Sequence, residues 1–182
     1  MPWAQESLEN FLTEPGRGDA RYLNDRSAFD VFLGCRTAAG GRAFIGIEVK
    51  YHENLVGTDG RHQARYDEVA DRMGCFLDGR EPLKSSPLQQ IWRDHLLAGI
   101  TRIVDGYADA VFAVLYPRDN PHVSAALNDY RKQLSNSNSF AAWTLEHMVS
   151  QLRDLSDASW IDLFSDRYLA FDKIDSRLSG TD

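Results

Sequence analysis

"AFDVFLGCRTAAGGRAFIGIEVKY", Ala28 to Tyr51, is the stretch from which the rest of the chain is read. Two runs rich in β-branched and aromatic residues flank the small-residue cluster "TAAGG" at 37 to 41. That pattern predicts a β-hairpin with strands at about 27 to 36 and 42 to 51. Side chains alternate between faces along a strand. On the second strand Ile45, Ile47, Val49 and Tyr51 therefore share a wholly apolar face, while Phe44, Gly46, Glu48 and Lys50 share the other. On the first strand Ala28, Asp30 and Phe32 lie together, and Phe29, Val31 and Leu33 lie opposite them. The charged face also carries the small residues Ala28 and Gly46, which predicts open space beside the acids.

With the turn centred on Ala39, Asp30 and Glu48 stand directly across from one another, with Cβ atoms roughly 5 Å apart. Like charges so placed weaken a sheet, so the pairing makes sense if a divalent cation bridges them or if one acid is held protonated. Carboxylates and carbonyls are hard oxygen ligands suited to Mg²⁺ or Mn²⁺. Lys50 lies on the same face about 7 Å further along and adds a cation next to such a site. A metal, a polarised water and a cation beside developing negative charge are the requirements of phosphodiester hydrolysis. The competing reading of the same residues is a solvated sheet face with Lys50 as an ordinary salt-bridge partner.

Length and composition set the bounds. The 182 residues suit one domain, 1 to 182, and 43% hydrophobic with 26% charged residues is ordinary globular composition. No apolar run approaches the length needed to span a bilayer, and the first residues, acidic and without a basic start, do not read as a signal peptide. The expected location is the cytoplasm, with no membrane partner. Cys35 and Cys75 lack metal-ligand spacing and read as small buried residues. A net charge of -7 argues against a protein that coats nucleic acid nonspecifically. From Arg17 to Arg65, however, eight Lys or Arg stand against six acids, a local positive excess around the hairpin that suits a polyanion entering at one place.

Outward from the hairpin, "GRHQARYDEVADRMG" (60 to 74) has helical spacing with a terminal glycine, and "SSPLQQIWRDHLLAGITRIV" (85 to 104) predicts a serine-capped helix with Pro87 in its first turn. "DAVFAVLYP", Asp109 to Pro117, is a continuous apolar run suited to a buried strand. Further helical segments are predicted at about 121 to 134, 139 to 154 and 158 to 170. The fold class is α/β, a small mixed sheet flanked by helices, with a helical C-terminal part at about 121 to 171.

An Asp on one strand and Glu-x-Lys on its neighbour, followed by helices and a further buried strand, resembles the PD-(D/E)XK nuclease superfamily, with its restriction-endonuclease-like fold. More closely, "YLNDRSAFDVFLGC" with "IGIEVKYHENL" is similar to a bacterial subgroup of that superfamily, and the similarity extends through "LQQIWRDHLLA", "DAVFAVLYP" and "DRYLAFDKI". The resemblance implies that Asp30, Glu48 and the backbone carbonyl of Val49 ligate Mg²⁺, with Mn²⁺ as a substitute. It implies that Lys50 positions or deprotonates the attacking water. Phe29 stands where the superfamily's name has Pro. An accessory glutamate on an N-terminal helix is common in such folds, and Glu14 is one candidate here.

The helix after the lysine strand often sends a polar side chain to the site in this superfamily, which nominates Gln89 or Gln90, with Arg93 on the flank they share; the alternative is a solvated helix flank. Arg61 and Arg65, at the start of the preceding helix, are candidates for phosphate contacts. His95, Trp92, Trp143 and Trp160 read as core residues. The expected function is a metal-dependent nuclease, acting on DNA in restriction, repair or phage defence. The alternative is a catalytically silent binding or assembly module of the same fold. Cutting both strands with one active-site set per chain suggests a homodimer.

Overall fold

The computed structural model describes residues 18–57 and 60–171. Its sheet is built on the hairpin. Strand β1 (Val31–Arg36) pairs antiparallel with β2 (Arg42–Val49), with Val31 opposite Ile47 and Arg36 opposite Arg42. This is the register that a turn centred on Ala39 requires, and continuing it by one residue sets Asp30 against Glu48. Strand β3 (Asp109–Tyr116) joins β2 in parallel, and β4 (Phe140–Thr144) joins β3 in parallel, giving the order β1-β2-β3-β4. Five helices are described: α1 (Ala64–Met73), α2 (Gln89–Val104), α3 (Pro121–Arg131), α4 (Leu145–Leu155) and α5 (Ser159–Tyr168). This is the expected mixed α/β arrangement.

The alternation of the hairpin sorts the core into two layers. Phe32, Phe44, Phe112 and Val114 face α2, whose Trp92, Leu96 and Ile100 complete the larger core. Ile45, Ile47, Val49, Ala113 and Leu115 face the other way, where Leu145, Met148 and Phe164 of α4 and α5 cover them. Parallel strands buried on both faces read as continuous apolar runs, which is why "DAVFAVLY" carries no alternation. Gly74 ends α1 in the left-handed conformation at φ 63°.

Several expectations need correction. The hairpin ladder begins at Val31 rather than at 27, so alternation does not reach Phe29, whose ring turns back onto Phe44 and Phe112. That ring fills the space expected beside Gly46: a Cβ built on Gly46 would lie 2.7 Å from it. The serine cap is absent from α2, because Ser86 donates instead to the carbonyl of Leu55 (2.6 Å) and accepts from the amide of Gly57 (3.2 Å). The segment predicted as helix from 139 opens with strand β4, and helix begins at Leu145, capped by the Thr144 side chain on the His147 amide. Cys35 is exposed while Cys75 is buried, and both are free. Trp92 is core, but Trp160 is 53% exposed.

Candidate active site

The site forms where β1 has not yet begun and β2 is about to end. Asp30 stands one residue before the first ladder pair, and its Oδ2 accepts a hydrogen bond from the Val49 amide (2.7 Å). A side-chain oxygen thus takes a strand-edge donor that a neighbouring backbone would otherwise satisfy, and Asp30 is held against the residue between Glu48 and Lys50. On the other edge of β2, the Lys50 amide donates to the Leu115 carbonyl (2.9 Å), so β3 fixes the strand end from the far side.

Glu48 and Lys50 are both buried, at 7% and 6% exposure. The Lys50 ammonium donates to Glu48 Oε1. Gln90, in the first turn of α2, donates its side-chain amide to the same oxygen at 2.9 Å. Two donors thus share Oε1. Burial pushes the Glu48 carboxyl above its ordinary range, Lys50 pulls it back, and the Asp30 charge pushes it up again. The electrostatic tension expected between the paired acids is therefore present at Glu48, while Asp30 is exposed to water.

One turn along α2 from Gln90 lies Asp94, which sequence reasoning passed over. It is 4% exposed, and its Oδ2 has no hydrogen-bond partner. Burial drives its carboxyl well above the usual aspartate range, the Glu48 charge adds to this, and Arg93 and Lys50 act in the opposite direction. The signal that could have found it is its spacing: residues four apart share a helix face, so the turn that aims Gln90 at Glu48 aims Asp94 the same way.

The remaining candidates divide. Gln89 is turned away and buried: its Oε1 accepts from the Gly60 amide (2.6 Å) and its amide donates to the carbonyls of Gly60 (2.8 Å) and Lys84 (2.9 Å). It is a loop clamp, neither a solvated flank nor a neighbour of Glu48. Arg93 donates to Ser27 Oγ (2.9 Å from Nη2) and pairs with Asp25 (3.4 Å), which also accepts from the Tyr66 hydroxyl (2.7 Å). Its guanidinium anchors the chain that leads into Asp30. Arg65 is occupied by the carbonyls of Tyr22 and Arg21 and by Glu68, so its place is structural. Arg61 is exposed. His95 is a satisfied core residue, bonded to the Tyr130 hydroxyl (2.8 Å) and to Ser139 Oγ (2.9 Å). Glu14 lies outside the described residues.

Among the described residues, no group of three or more His, Cys, Asp or Glu side chains is gathered to hold a metal ion. A cation here would rest on two carboxylates completed by main-chain oxygen and water, a donor set of hard oxygens that fits Mg²⁺ and does not fit softer metals. The repulsion between Asp30 and Glu48 is what such a cation would relieve.

A small mixed sheet whose hairpin brings an aspartate against a Glu-x-Lys strand end is the framework of a phosphodiester-cleaving fold. The chain belongs to the PD-(D/E)XK nuclease superfamily, whose family model matches residues 6–170. Membership implies nuclease activity on a nucleic-acid substrate, a class of chemistry that typically employs divalent metal ions. No curated protein and no solved structure matches the chain. No helix among the described residues is long and apolar enough to cross a membrane.

Proposed function

We propose that the chain is a metal-dependent nuclease that hydrolyses phosphodiester bonds in DNA, with Asp30, Glu48 and Lys50 as its catalytic set. The observation that carries this reading is the convergence at the end of β2, where Asp30 rests on the Val49 amide while Lys50 and Gln90 hold Glu48 by one oxygen. Asp30 and Glu48 would bind Mg²⁺, or Mn²⁺ in its place, together with the carbonyl of Val49. The ion would supply charge neutralisation at the scissile phosphate and an acidified water.

The chain's own residues do the rest. Asp30, exposed just before β1, and Glu48, buried near the end of β2, present their oxygens side by side because the Val49 amide holds Asp30. Gln90 keeps Glu48 from rotating by holding Oε1. Lys50 orients the attacking water and lies close to where negative charge develops on the phosphate, in a pocket whose low exposure strengthens that interaction. Arg93, Asp25 and Ser27 act at one remove by fixing the approach to Asp30.

The test is cleavage of supercoiled plasmid by the purified chain in Mg²⁺ or Mn²⁺, with EDTA and Lys50→Ala controls. Metal-dependent nicking that is abolished in Lys50→Ala supports the reading. Cleavage that persists in Lys50→Ala, or no cleavage together with no Mn²⁺ binding by calorimetry, rejects it. Mn²⁺ binding without cleavage of DNA or RNA would favour a catalytically silent binding module. A homodimer would place two such sites on opposite strands, and sedimentation of the DNA complex reads that directly.

A further inference from the structure

The site contains one donor group that is under-supplied with acceptors and one acceptor without a donor. The Lys50 ammonium carries three N–H donors on a side chain that is 8% exposed, and the side-chain acceptor it reaches is Glu48 Oε1, which Gln90 also uses. Asp94, on the same helix face as Gln90, has a buried Oδ2 with no partner at all. Leaving a carboxyl oxygen buried and unbonded costs free energy, and natural cores do so rarely without a reason. Gln90, one turn before Asp94 on that face, bonds the same Glu48 oxygen that Lys50 does, which sets Asp94 on the side of α2 that faces the pair.

We propose that Asp94 is a positioning residue: it receives the Lys50 ammonium when Glu48 commits its carboxylate to the metal, and so holds the lysine over the reacting phosphate. This inference rests on the proposed metal site at Asp30 and Glu48. The Lys50 ammonium is the cation that Glu48 holds. When a divalent ion takes that part, the ammonium must leave Glu48 or stay against the same ion's positive charge. A buried ammonium cannot be released without another acceptor, because the desolvation cost of an unpaired charge is several kcal/mol. Asp94 Oδ2 is the open acceptor one helical turn beyond Gln90. Without a hydrogen-bond partner of its own, that oxygen can accept from the ammonium.

The inference is tested by Mn²⁺ titration calorimetry on the full chain in four forms: wild type, Asp94→Asn, Lys50→Met and the double variant, with thermal melting of each. Asp94→Asn is expected to melt no lower than wild type, because it removes a buried acid with an unsatisfied oxygen. It is expected to bind Mn²⁺ about tenfold more weakly, since Lys50 then has nowhere to go; tenfold corresponds to about 1.4 kcal/mol. In the Lys50→Met background the same substitution should leave Mn²⁺ affinity unchanged. Where the wild type cleaves, Asp94→Asn should lower kcat at saturating Mn²⁺ and leave KM alone. Asp94→Leu, an apolar replacement, serves if the amide variant does not fold and should show the same Mn²⁺ loss. Equal Mn²⁺ affinity in wild type and Asp94→Asn overturns the inference, as does an equal loss in both backgrounds, which would make Asp94 a plain source of negative charge. A wild type that binds no Mn²⁺ rejects the metal site itself, and the inference with it.

Discussion

Gly46 and His95 show how single residues in this fold are held to their positions. Gly46 was expected to leave room beside the acids, yet the Phe29 ring occupies that room at a distance no Cβ tolerates. Because Phe29 adjoins Asp30, whatever moves the ring moves the aspartate. Gly46→Ala is therefore expected to cost about 1–3 kcal/mol, the range for overpacking a filled core, and to reduce metal-dependent cleavage more than a loss of stability alone would. Thermal melting and plasmid nicking on the same preparation separate the two effects. His95 makes a different demand. Burial holds its imidazole neutral down to about 3 in the folded chain, against an ordinary value near 6.5. The unfolded chain takes up a proton below about pH 6.5 while the folded chain refuses it. The stability from the neutral histidine is thus fully present above pH 6.5 and falls by about 1.4 kcal/mol per unit as pH drops toward 3. Urea unfolding at pH 7, 6 and 5 should show wild type losing about 0.7 and then about 1.2 kcal/mol of its advantage over His95→Gln; parallel curves would contradict the assignment.

At the scale of elements, the hairpin was legible because its register follows from turn length and its faces follow from a period of two. The pairing from Val31–Ile47 to Arg36–Arg42 follows from that arithmetic alone, and Asp30 stands one residue beyond its first pair. The buried strand β3 and the glycine stop of α1 were equally legible, since an apolar run between breakers and a left-handed C-cap are both local signals. What escaped was decided by contacts between elements distant in sequence. "FAAWT" at 140 to 144 is apolar and runs without a break into the capped helix "LEHMVS", so nothing local divides strand from helix; pairing with β3 does. The "SSP" at 85 to 87 reads locally as a serine cap, but α2 has no side-chain cap and the Leu55 carbonyl takes the Ser86 hydroxyl. On α2, residue type could not separate Gln89 from Gln90, because a rotation of about 100° between neighbours sends one to the loop at Gly60 and the other to Glu48. That division is testable. Gln89→Ala strands three part-buried main-chain groups, the Gly60 amide and the Gly60 and Lys84 carbonyls, and should cost about 1–3 kcal/mol in denaturant unfolding while leaving Mn²⁺ affinity nearly intact. Gln90→Ala should cost less stability and weaken Mn²⁺ binding, because Glu48 loses the donor that orients it. The reverse pattern would place Gln89 at the site.

Charge is a property of the whole molecule, and here it opposes the proposed substrate. A chain with a net charge of -7 repels a polyanion at long range, so binding depends on whichever cations remain uncommitted near the hairpin. The structure commits several of them. Arg21 pairs with Asp19, Arg36 bonds the Gly40 carbonyl, Arg42 stacks on the Tyr107 ring at 4.6 Å, Lys50 is buried on Glu48, and Arg65 holds the main chain of residues 21 and 22. Arg26 and Arg61 are exposed and make no ion pair or side-chain hydrogen bond among the described residues. Each neutralised phosphate releases counterions, so the slope of log K against log salt counts the contacts at about 0.9 per phosphate. For duplex DNA in EDTA, where cleavage is suppressed, the expected slope is shallow, about -2 to -3. Arg61→Ala should lower its magnitude by about 1, whereas Arg65→Ala should leave it unchanged and lower the melting temperature instead. A slope of about -6 or steeper would mean that phosphates are met mainly by residues other than these, and the placement of the substrate path beside the hairpin would have to be abandoned.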